Sequence, residues 1–240
     1  MNEQMKEAVR EATSDVDLTL SDIPKIDLYL DQILSLVSEK NEQGSDRYKE
    51  RMLTKTMINN YSKEGAILPI KGKKYNRRQV LQILFIYSLK STLSIGEIKR
   101  MFDGANRIEG FGEAEFESLY ADFLDMKEHS RRETEQITEN TIEALSLDTE
   151  KDEDYLRLCL SLVTLSGYLK NLAEEMIDVR FPVPAAEESD SQKDEKPTKA
   201  EKAAEKAAAK AEKAAEKAAA KAKKQTKDTA KETDPPAKAE

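Results

Sequence analysis

Cysteine and histidine occur once each in these 240 residues, as Cys159 and His129, and tryptophan does not occur at all. One cysteine excludes an intramolecular disulfide, and a zinc site of the usual Cys/His type lacks its ligands. A catalytic triad could draw only on His129, which lies in a charged stretch and reads as a surface residue. Cys159 stands among Leu158, Leu160 and Leu162 and reads as a small buried hydrophobe, not a reactive thiol. No nucleophile–base pair and no phosphate-cradling glycine loop is legible. The chain is therefore expected not to be an enzyme and to need no cofactor and no metal. Long apolar runs are scarce as well. The uncharged stretch 158–169 has 12 residues, against the roughly 20 that a bilayer span needs. The first fifteen residues hold no apolar signal core. A cytoplasmic protein that does not enter a membrane is expected.

What the chain does have is charge, and it is unevenly placed. Residues 1–45 carry a net −6, residues 46–100 a net +9, residues 101–186 a net −12 and residues 187–240 a net +1. A basic module between two acidic segments points to a polyanion-binding surface, or to segments that neutralise one another by packing. On charge alone the two stand level. Beyond residue 186 there is almost nothing apolar except alanine, and Ala200–Lys210 is repeated letter for letter as Ala211–Lys221. Such a composition favours helix but offers no stripe to bury. Residues 185–240 are expected to be a disordered or loosely helical tail.

The remainder reads as mainly all-α. A polar segment, 1–21, holds a short helix over 2–12. Ile26, Tyr29, Leu30, Ile33, Leu34 and Val37 recur at helical spacing, with Pro24 placed in the first turn. A polar loop over 41–46 follows. The next helix spans Thr54 to Glu64 and stops at Gly65. Ala66–Tyr75, two short apolar pieces around a lysine-flanked glycine, reads as a small hairpin. Asn76 caps a strongly apolar helix, and Ser94 with Glu97 forms a capping box for another. After a loop over 104–112 comes a helical region, 113–184. Its first helix either restarts at Ser130 or runs on to Leu145. From Glu150 to Asp178 a second helix is apolar around so much of its circumference that it needs more than one neighbour. A homodimer through 150–178 is the expectation that follows.

The order helix, basic hairpin, helix, capped helix resembles the winged helix-turn-helix of MerR-type regulators. The likeness rests on Ile58, Tyr61, Lys63 and Gly65, on Leu68-Pro69, on Lys74-Tyr75, and on Leu93-Ser94-Ile95 with Glu97-Ile98. Closer still is a bacterial family, common in Gram-positive species, known as a domain of unknown function. Its hallmarks match Asp27–Gln32 and Leu53–Lys63. The resemblance covers residues 22–104 and implies a winged helix-turn-helix-like domain with a small β-hairpin wing. Two departures stand out. About a dozen polar residues separate the first two helices, where a helix-turn-helix has three or four, and Asn59 replaces the arginine of the MerR recognition helix.

The residues themselves point the same way. Lys55, Thr56, Asn59, Asn60 and Lys63 share the face of helix 54–64 that lies away from Met57, Ile58 and Tyr61. Asn pairs bidentately with adenine, and Lys reaches guanine or phosphate. Lys71, Lys73 and Lys74 on the wing over 70–75, with Arg77 and Arg78 at the next helix start, suit phosphate contacts. The expected function is a transcriptional regulator that binds double-stranded DNA, placed at the nucleoid. The alternative is an adaptor whose winged-helix domain docks an acidic protein.

Overall fold

Eight helices and one pair of two-residue strands make up residues 1–183, the part of the chain that the computed structural model describes. Residue 184 and the tail expected over 185–240 lie outside it. Local signals place most helix ends. The first helix, α1 (Glu3–Ala12), starts where the Asn2 side chain accepts the Met5 N–H at 2.9 Å. After β1 (Leu28–Tyr29), α2 (Leu30–Asn41) and the short α3 (Asp46–Lys49), α4 (Lys55–Lys63) is capped by Thr54. It is closed by a Schellman turn in which Gly65 takes φ +71° and the Ala66 N–H reaches the Tyr61 carbonyl at 3.0 Å. Beyond β2 (Lys74–Tyr75), Asn76 caps α5 (Arg77–Leu89), and the Ser94–Glu97 box opens α6 (Ile95–Ala105). The last two helices are long: α7 (Glu113–Ala144) and α8 (Asp152–Arg180).

Two expectations fail in one place. No helix begins at Pro24. Asp22 draws the chain into a turn by accepting the Thr19 N–H at 2.8 Å, and the backbone then bends at Lys25–Ile26 before entering β1. Ile26 is left exposed. Nor do residues 66–75 fold back on themselves as a hairpin. Lys74–Tyr75 pairs antiparallel with the distant Leu28–Tyr29, Leu28 opposite Tyr75 and Tyr29 opposite Lys74. The piece expected to be its partner is satisfied by side chains instead. Gln82 accepts the Leu68 N–H at 3.0 Å, and Gln79 donates to the carbonyls of Leu68 and Pro69 at 3.2 and 2.9 Å. With its polar groups so engaged, and with Pro69 lacking an N–H, that piece has little left to offer a strand.

The core centres on α5. Every residue from Arg78 to Ile86 is buried. Phe85 sits at the middle of an aromatic cluster, its ring 5.7 Å from Phe102 and Phe116, 5.1 Å from Tyr120 and 5.0 Å from Phe123. The apolar core thus runs from α5 and α6 across the 104–112 loop into α7, and residues 1–183 form one compact unit. Helix α7 does not restart at Ser130. It ends at Ala144, and Ser146, two residues on, is a non-glycine residue held at φ 52°. Cys159 is exposed, contrary to expectation. Of the leucines near it, Leu160 is exposed and Leu162 half-buried, and only Leu158, with Ile177, is buried in α8.

Candidate nucleic-acid interface

Helix α4 presents one face to the core and the other to solvent. Ile58 and Tyr61 are buried, Met57 is half-buried, and Lys55, Thr56, Asn59, Asn60 and Lys63 are all exposed. Its entry is fixed from below by Asn41, a buried asparagine that donates to the Arg51 carbonyl at 2.8 Å and to the Tyr87 hydroxyl at 2.7 Å. The Tyr87 hydroxyl donates to the same carbonyl at 2.6 Å. The outward residues of α4 therefore stand on a rigid base.

Lys71, Lys73 and Lys74 are exposed on the turn around Gly72, whose φ of +82° favours glycine. This turn is held at one end by the Gln79 and Gln82 contacts and at the other by the β1–β2 pairing. The Lys74 ammonium lies 4.9 Å from the Tyr29 ring centroid, its cross-strand neighbour.

Arg77 and Arg78 do not join this surface. Arg77 donates to Glu117 at 2.7 Å and to the carbonyls of Ile23 and Leu20 at 2.9 and 3.0 Å, stapling the N-terminal loop to α5 and α7. Arg78 is buried. Its guanidinium lies 4.7 Å from the Phe116 ring centroid, bonds Asn106 and approaches Glu113 at 3.6 Å. Both arginines are internal fasteners, and their assignment to phosphate contacts is corrected.

The basic module thus divides. Arg77, Arg78, Lys49 and Arg100 have carboxylate partners. Lys55, Lys63, Lys71, Lys73 and Lys74 have none among the described residues. Among the described residues no carboxylate of the acidic N-terminal segment pairs with them, and Asp15 and Asp17 pair instead with Lys127 and Arg131 of α7 at 2.6–3.1 Å. Two further cations beside α4, counted in the net +9 but not among the expected site residues, join this surface. Arg51 lies 5.8 and 5.6 Å from the Tyr48 and Tyr87 ring centroids, and Lys90 lies 5.3 Å from that of Tyr87. Neither has a carboxylate partner among the described residues. Burial first, and the Arg51 charge second, push the Lys90 ammonium below its ordinary pKa, and the charge of a bound anion would oppose both. Only the fold reveals this pair, since the two lie 39 positions apart in the chain.

These elements coincide with a known sequence family. Residues 18–123 match the family model of a domain of unknown function, DUF1836. The match contains α2–α6 and the start of α7, so it extends beyond the 22–104 resemblance at both ends and leaves most of α7 and all of α8 outside. No curated protein and no solved structure matches the chain. Among the described residues, no helix is long and apolar enough to cross a membrane.

Proposed function

We propose that this chain is a DNA-binding transcriptional regulator. The observation that carries the reading is the outward face of α4, where Lys55, Asn59, Asn60 and Lys63 are exposed with no carboxylate partner among the described residues. A helix of this width fits the major groove, where asparagine reads adenine and lysine reads guanine. The basic turn over 70–75 acts as the wing of a winged helix-turn-helix variant, its second strand borrowed from Leu28–Tyr29. Lys71, Lys73 and Lys74 there, with Arg51 and Lys90 beside α4, supply sequence-independent phosphate contacts. Helix α2 serves as the first helix of the motif, and α3 occupies part of the long connection to α4.

Titration of a mixed-sequence duplex, followed by site selection from a random pool, tests the reading. Binding that weakens steeply with salt, together with an enriched motif, supports it. Indifference to duplex DNA together with capture of an acidic polypeptide by the same lysines would replace it with the adaptor reading.

A further inference from the structure

The face of α8 that points away from the molecule carries a heptad pattern. Leu158, Leu162, Leu165, Leu169, Leu172, Met176 and Val179 follow one another at alternating intervals of four and three residues without a break. That is the spacing of a coiled-coil seam. It is covered at one end only. Leu158 is 3% exposed, Leu165 37%, Leu169 54% and Val179 76%. Past Leu158, α8 is anchored by a different face. Ile177 is in the core, Asp178 pairs with Arg100 at 2.7 Å, and Phe181 lies over Gly104. Beyond Leu158 and the half-buried Leu162, the seam is therefore not needed to dock α8 on its own chain, and a continuous apolar stripe left in water marks an association site.

We infer that residues 165–179 of α8 pair with the same residues of a second copy, as a parallel two-stranded coiled coil. Three observations select this occupant. The rest of the chain cannot fill the seam, because residues 187–240 contain no leucine, isoleucine, valine, methionine, phenylalanine or tyrosine. An anionic lipid surface is disfavoured by the net −12 of residues 101–186. A second copy, by contrast, supplies an identical seam. The orientation follows from the gradient of exposure. Parallel chains set Met176 on Met176 and Val179 on Val179, joining the most exposed ends. Antiparallel chains that engaged the whole of residues 165–179 would press Val179 against Leu162, which is already half-buried. Parallel pairing also brings Glu175 of one helix opposite Arg180 of the other across the seam, and neither has an ion-pair partner among the described residues.

Sedimentation of the full-length chain at micromolar concentration should give a dimer. Leu169→Glu should weaken association about 100-fold or more, by leaving a charge in the seam, with the helical content of the monomer retained. In a Cys159→Ser background, Leu172→Cys should cross-link on mild oxidation, since facing leucines of a parallel seam meet across the axis. Gly167→Cys, on the opposite side of the helix, should not. A monomeric parent, a dimer indifferent to Leu169→Glu, or cross-linking through Gly167→Cys in place of Leu172→Cys would overturn the inference. So would binding to anionic vesicles that Leu169→Glu abolishes.

Discussion

Lys74 and Arg77 stand three residues apart in the basic module and do opposite jobs. The lysine is exposed on a turn, while the arginine holds two backbone carbonyls and a carboxylate of α7. The difference lies in what surrounds each position. The helix start that Asn76 caps faces the 18–23 loop and α7, both rich in acceptors, whereas the Gly72 turn faces water. Net charge therefore overstates the surface available to a polyanion. The useful quantity is the charge left without a partner, and among the described residues of the basic module it falls on α4, the Gly72 turn, Arg47, Arg51 and Lys90.

Substitutions on the two sides of this division should part company. Arg78→Ala should have the largest effect, lowering stability by about 3 kcal/mol through loss of charge-assisted bonds and buried stem packing, as a shift in the urea midpoint. Lys73→Ala should leave that midpoint within about 0.5 kcal/mol and weaken binding to every duplex alike. Asn59→Ala, equally silent in stability, should cost roughly 1–3 kcal/mol at one base pair only, read by competition between the selected site and its single-base variants. A stable Arg78→Ala protein with impaired DNA binding would erase the distinction.

A smaller effect concerns the acidic side. Burial would raise the Asp15 carboxyl, but the hydrogen bond and charge of Lys127, with Arg131, outweigh it and hold the pKa below its ordinary value. A carboxyl so depressed contributes stability above about pH 4 and loses it as pH falls further. Asp15→Asn should therefore lower the urea midpoint at pH 7 and flatten its acid dependence. Smallest of all, Ser146→Gly should raise stability by about 0.5–1 kcal/mol, because glycine adopts the left-handed conformation of that helix end without strain.

Much of this architecture was legible from short-range signals. Thr54, Asn76, Ser94 with Glu97, and Gly65 mark helix ends through bonds to residues three to five positions away, so spacing alone exposes them. The β1–β2 pairing escaped because two-residue strands have no periodicity and their partners lie 45 and 47 positions apart. The roles of Arg77 and Arg78 escaped for a similar reason: Glu117, Asn106 and Glu113 are distant in sequence. Helices α5 and α8 show where periodicity stops informing. Both are apolar around much of their circumference, yet α5 finds its neighbours within the chain and α8 leaves a seam uncovered. Cys159 was misread on that account, since apolar company in sequence implies burial only when the fold supplies a cover.

The central claim is that the unpartnered cations form one polyanion-binding surface. Its most direct test is the salt dependence of binding to a mixed-sequence duplex by the full-length chain. With about six cations neutralising phosphates, log affinity should fall against log salt with a slope near −5, and the triple substitution of Lys71, Lys73 and Lys74 by alanine should make the slope shallower by about 3. A slope near zero, or one that the triple substitution leaves unchanged, would contradict it.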